Sequence, residues 1–175
     1  RLVINLKDTI SLRRIVNFPP RGIGMKTMDK CVFQAEADHL ELFDVLKKAD
    51  KLPIRGKQSD SLTEFYKLIK KYHGLRNKLS ASELSRSLIE EAGILSQFKK
   101  SLGPDDRERY ENVVELLNSI DEFCAKRPDS NLSDFLEDVS LLSDIDHWND
   151  ADNRVTLMTV HSAKGLEFPV VFVSG

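Results

Sequence analysis

From Thr9 to Leu142 the apolar residues recur at helical rather than alternating spacing. Leu12, Ile15 and Val16 make one short apolar face, and Met28, Val32 and Ala35 make another. The Pro-Pro-Arg-Gly-Ile-Gly turn at 19 to 24 lies between them, so two short helices are predicted to flank a glycine hairpin. Leu62, Phe65, Ile69, Tyr72 and Leu79 keep a helical stripe from Ser61 to about Leu79. Ser80 and Glu83 then stand at capping-box spacing ahead of Leu84 and Leu88, and Gly93 is placed to end that helix. The longest predicted helix runs between Pro104 and Arg127, carrying Tyr110, Val113, Val114, Leu117, Ile120 and Phe123, and Pro128 stops it. Ser130 is expected to cap a last helix that buries Leu132, Phe135, Leu136, Val139 and Leu142. The stretches 51–61 and 143–153 read as polar loops, and no internal repeat is evident.

After Arg154 the pattern changes. Residues Val155 to Val160 are extended and rich in β-branched side chains, and Pro169 to Val173 form the continuous apolar run of a strand covered on both faces. Two strands joined by so short a link cannot build a sheet alone, so they are expected to complete an α/β sheet whose other strands belong to a larger protein. The fold class expected is therefore mainly α, with two short β-strands at the C-terminal end.

Composition narrows the function classes. A chain of 175 residues, 41% hydrophobic and 31% charged, can bury one core. No apolar stretch approaches the roughly 20 residues of a membrane-spanning helix, and a cytoplasmic protein with no membrane partner is expected. Cys31 and Cys124 sit in helical patterns with no metal-ligand spacing around them, and are read as buried thiols. The net charge of −2 conceals an asymmetry: residues 1–100 hold 20 Lys and Arg against 12 Asp and Glu, whereas residues 101–154 hold 5 against 15. The first part is suited to face a polyanion and the second is not.

A self-contained catalytic apparatus is not evident. No Gly-x-x-x-x-Gly-Lys-[Ser/Thr] loop occurs, and Gly24-Met25-Lys26-Thr27 and Gly56-Lys57-Gln58 lack its glycine spacing. His39, His73 and His147 are isolated and read as packing or surface residues. Two segments stand out instead. Residues 155–175 place a polar turn of Thr159, His161, Ser162, Lys164, Gly165 and Glu167 between two strands, where open α/β sheets bind ligands. Residues 12–27 present backbone N–H groups at a hairpin and a helix start. There Gly22 and Gly24 permit close approach, Arg21 and Lys26 add charge, and Thr27 offers a hydroxyl to a phosphate. A Gly-Ile-Gly turn also occurs as nothing more than a tight connection.

The run Val155-Thr-Leu-Met-Thr-Val-His-Ser-Ala-Lys-Gly-Leu-Glu-Phe-Pro-Val-Val-Phe-Val-Ser-Gly175 resembles the fifth conserved motif of superfamily 1A DNA helicases of the UvrD, Rep and PcrA group. Asn17-Phe-Pro-Pro-Arg-Gly-Ile-Gly24 is similar to the helix-hairpin-helix at the start of the accessory 2B subdomain of the same family. Arg109-Tyr-Glu-Asn-Val-Val-Glu-Leu116 and the Leu132 to Leu136 pattern fit the long helix and the segment that follow. The resemblance implies three parts: an end of a RecA-like 2A segment at 1–7, a helical 2B-like subdomain at 8–150, and a return to the 2A subdomain at 151–175. It implies an ATP-dependent 3′ to 5′ helicase as the parent, using ATP and Mg2+, with other motor subdomains and repair proteins as partners. Thr159 and His161 would then contact single-stranded DNA, Lys164, Gly165 and Glu167 the nucleotide, and Arg21, Gly22, Gly24, Lys26 and Thr27 duplex DNA. The phosphate loop and the magnesium-binding Asp-Glu pair lie outside residues 1–175, so the chain alone is expected to be inactive. Two alternatives stay open: a helicase-nuclease of the RecB or AddA type, and a non-enzymatic interaction module.

Overall fold

A computed structural model describes residues 1–100, 103–145 and 170–173. Eight α-helices and one 3₁₀ turn make up this part: α1 (Thr9–Ile15), α2 (Met25–Asp38), α3 (Leu42–Leu46), the 3₁₀ turn (Ala49–Lys51), α4 (Gly56–Leu75), α5 (Ala81–Glu91), α6 (Ile94–Lys100), α7 (Pro104–Lys126) and α8 (Leu132–Ile145). The chain is mainly α, as the periodicity predicts. No described helix is long and apolar enough to cross a membrane.

Local chemistry explains most helix ends. Asp8 caps α1, its carboxylate accepting from the Ser11 N–H at 2.9 Å and the Ser11 hydroxyl at 2.6 Å. At α5 the expected box is present: Ser80 N–H donates to Glu83 Oε2 at 3.0 Å and Glu83 N–H to Ser80 Oγ at 3.2 Å. Gly93 ends the run that follows with φ of +76°, a conformation glycine adopts without steric cost. His39 closes α2 from the left-handed region, with φ of 52°. Pro104 opens α7, with Asp105 and Asp106 in its first turn and Lys126 in its last, matching the helix dipole at both ends.

Some expectations change. The α4 helix starts at Gly56, inside the segment read as a polar loop, because Gln58 Oε1 accepts from the Arg55 N–H and Ser59 is buried one turn in. The α8 cap is Asn131, not Ser130. Asn131 Oδ1 accepts from Ser133 N–H at 2.7 Å and Asp134 Oδ2 accepts from Asn131 N–H at 2.7 Å, while Ser130 Oγ donates to the Arg127 carbonyl. Of the predicted α8 face, Leu132 and Phe135 are buried and Val139 is exposed. Cys31 is buried as expected, and Cys124 is only partly so.

The helices share one apolar core. The α3 helix packs between α1, α2 and α4, α5 packs against α6, α7 and α8, and α4 meets α5. A single cluster of buried side chains runs from Leu2 and Val3 through Leu46, Leu62 and Leu84 to Ile120 and Phe135. The first residues therefore pack on the helical body, and the Val3 carbonyl lies 2.8 Å from His73 Nδ1 on α4. Val170 to Val173 are exposed and form no ladder with other described residues; a strand of that composition needs neighbours on both edges. The strand expected at 155–160 lies outside the described residues.

Candidate nucleic-acid interface

The loop between α1 and α2, where the glycine hairpin is expected, is built by side chains that satisfy its own backbone. Asn17 Oδ1 accepts from the N–H of Arg21 at 2.9 Å and of Ile23 at 3.0 Å, so one amide carbonyl folds six residues into a loop. Ile23, only 2% exposed, anchors the tip in the core. Gly22 takes φ of +72°, where a side chain would be strained. Phe18 reaches α6 through Phe98, ring centroids 5.6 Å apart.

Arg21 is turned inward. Its Nη1 donates to the carbonyls of Phe18 at 2.6 Å, Pro19 at 3.2 Å and Val16 at 3.3 Å, and the guanidinium stacks over the Phe65 ring at 5.3 Å. Burial pulls its pKa below the ordinary value, although an arginine remains charged. The structure thus shows Arg21 as the residue that holds the loop and satisfies carbonyls at the end of α1. Thr27 is likewise interior, at 5% exposed, one turn into α2.

What faces outward is backbone and lysine. Cβ atoms built on Gly22 and Gly24 would meet nothing within 4 Å, so the space over both is open. Gly24 is the N-cap of α2 and makes no side-chain cap, and the N–H groups of Met25 and Lys26 have no intrahelical acceptor. Lys26 is exposed and in no ion pair with the described residues. The arrangement can hold an anion by its backbone and by one point charge, with no group placed to read a base.

Of the residues predicted for this site, Gly22, Gly24 and Lys26 share one open surface, and Arg21 and Thr27 lie beneath it. Asn17 was given no role in the sequence reading, although an Asn four residues before Arg in a proline-glycine turn signals a side chain that bonds its own backbone. Gln58 was also missed: its Nε2 donates to the Gly22 carbonyl at 3.4 Å from α4. No local pattern signals a contact 36 residues away. Thr159, His161, Lys164, Gly165 and Glu167 lie outside the described residues. Among the described residues, no group of three or more His, Cys, Asp or Glu side chains is arranged to hold a metal ion.

Comparison with known proteins supports the resemblance to UvrD-like helicases. The family model for the UvrD-like helicase C-terminal domain matches residues 1–175. The chain is 35% identical over 177 residues to the ATP-dependent DNA helicase PcrA of Staphylococcus aureus strain NCTC 8325 / PS 47, and equally to that of Staphylococcus epidermidis strain ATCC 12228. Each alignment covers 100% of this chain and 24% of the relative, so the chain spans about a quarter of the length of these proteins.

Proposed function

The chain belongs to the UvrD-like helicase C-terminal domain family, and from that premise we propose that its helical body is the accessory subdomain of an ATP-dependent DNA helicase, gripping duplex DNA by its phosphates. The observation that carries this reading is the hairpin: open backbone over Gly22 and Gly24, N–H groups at the start of α2 with no intrahelical acceptor, and beside them Lys26, exposed and in no ion pair with the described residues. Such a surface fits a phosphate oxygen and is indifferent to sequence, which suits a protein that must pass along DNA of any sequence. In the intact protein the reaction would be ATP hydrolysis with Mg2+, coupled to 3′ to 5′ movement and strand separation. Residues 1–7 and 151–175 would belong to the RecA-like 2A subdomain and 8–150 to the accessory one. Glu167, Lys164 and Gly165 would then meet the nucleotide, with Thr159 and His161 on single-stranded DNA. One turn contacting both ligands would couple nucleotide state to DNA grip.

The test is fluorescence anisotropy of the chain with a labelled duplex bearing a single-stranded tail, across a salt series, beside a Lys26→Glu variant. Lys26 is chosen over Arg21 because reversing Arg21 would also dismantle the loop. Binding that weakens steeply with salt, and weakens further in the variant, is expected. A folded chain that binds no DNA even at low salt would sink the phosphate-grip reading. The second reading, a surface that recruits a protein partner, is favoured by Ile10, Met25 and Phe33, which are 71%, 82% and 72% exposed.

A further inference from the structure

The segment leading into α4 repeats the pattern of the segment leading into α2, in a register the sequence does not announce. Ile23 precedes the N-cap of α2 and Ile54 that of α4; Lys26 and Lys57 both stand at the second helical position. Met28 and Ser59 are both buried at the fourth position, Cys31 and Leu62 at the seventh. The two segments also touch. Gln58 Nε2 donates to the Gly22 carbonyl at 3.4 Å, and Lys30 Nζ donates to the Pro53 carbonyl at 2.6 Å. The second loop is therefore held against the first, and its charged residues are exposed.

Its charge is uncompensated. Between Lys47 and Lys57 the chain carries five basic residues and one acidic one, Asp50. Lys47, Lys48, Lys51, Arg55 and Lys57 are all exposed, and none forms an ion pair with the described residues. A cluster of cations left unpaired on one surface repels itself, and the repulsion is relieved by a polyanion rather than by a single small ion.

We propose that Arg55 and Lys57 form a second contact with the phosphate backbone of duplex DNA, beside the hairpin that carries Lys26. The proposal rests on the hairpin reading above and extends it from one point of grip to two. Charge and adjacency carry the assignment, not helix polarity. Two contacts on one rigid body fix the direction of a duplex relative to the helices, whereas a single contact leaves it free to pivot.

The experiment is anisotropy of the 175-residue chain on a short blunt duplex, with affinity measured between about 50 and 200 mM salt, for four proteins. These are the unaltered chain, Lys26→Ala, the pair Arg55→Ala/Lys57→Ala, and the pair Lys70→Ala/Lys78→Ala, which removes equal charge from exposed, unpaired sites farther along α4 and just beyond it. Circular dichroism melting confirms that each is folded. Each phosphate contact contributes about 0.9 to the slope of log affinity against log salt. The 55/57 pair is therefore expected to lower the slope by about two, shrinking the affinity ratio between the two salt concentrations about tenfold. The 70/78 pair is expected to leave it unchanged. Binding sensitive to Lys26 but not to Arg55 and Lys57 overturns the second contact and leaves the hairpin reading standing. An equal effect from the 70/78 pair overturns it in favour of a diffuse basic surface. An unaltered chain that fails to bind the duplex overturns both.

Discussion

Around the hairpin, Lys26, Arg55 and Lys57 are exposed with no carboxylate of the described residues in ion-pair reach, whereas across α5, α7 and α8 Arg86, Arg107, Arg109 and Arg127 each meet one. Arg86 pairs with Asp121, which Ser82 also contacts, and Lys71 with Glu91 joins the end of α4 to α5. Both regions are built on the same core and are comparably helical, so stability does not require the difference. The exposed pairs add little to stability, because solvent screens them. Their consequence is electrostatic: the arginines around α5, α7 and α8 are neutralised within the chain, whereas Lys26, Arg55 and Lys57 meet no carboxylate among the described residues.

If that contrast is laid over one cooperative body, damage to the shared core must affect both ends alike. Leu62 is 0% exposed on α4, between the two regions. Leu62→Ala is expected to cost about 2–5 kcal/mol and to lower a single melting transition followed by circular dichroism. Two separated transitions, with only one displaced, would show the regions to be independent.

Asn17→Ala sharpens the comparison at the hairpin. It removes the acceptor for two backbone N–H groups and is expected to cost about 1–3 kcal/mol. Amide exchange should accelerate at Arg21 and Ile23, and duplex affinity should fall, while α7 is unchanged. Retained affinity would mean that the ordered loop is not what binds.

The smallest effect is expected at the acidic end. Hydrogen bonds from Arg86 and Ser82 hold Asp121 below the ordinary carboxylate range, and those from Lys71 and Tyr72 do the same for Glu91. A folded-state pKa below the unfolded one contributes stability above the carboxylate range, and that contribution is lost as pH falls through it. The α5–α7 contact should thus weaken below about pH 4. Asp121→Asn should cost less than about 1 kcal/mol at neutral pH, flatten that acid dependence, and leave duplex binding untouched. Melting temperature against pH for the two proteins decides it, and parallel curves would remove Asp121 from the account.

Much of this was legible without coordinates, for reasons specific to each element. The α7 helix announces itself because Pro104, the acidic first turn, the apolar stripe and Pro128 all agree. The α5 cap is legible because Ser80 and Glu83 satisfy each other locally. Two short elements were not: α3 and the 3₁₀ turn hold too few residues for a period to show, and packing against longer helices sustains them. The start of α4 hides in a charged stretch because its first turn is solvated. At the site, glycine and lysine positions were legible from residue type. The direction of Arg21 was not, since it depends on the carbonyls at the end of α1 and on Phe65, more than 40 residues away.

Residue order alone determined the helical class and the family, because periodicity, caps and turn residues act over a few positions and are written where they act. Tertiary structure decided which charges are paired among the described residues. Lys71, Arg86 and Arg127 look no different in sequence from Lys26, Arg55 and Lys57. Only packing brings carboxylates of other helices beside the first group and leaves the second open, because ion pairing depends on distance in space and not along the chain.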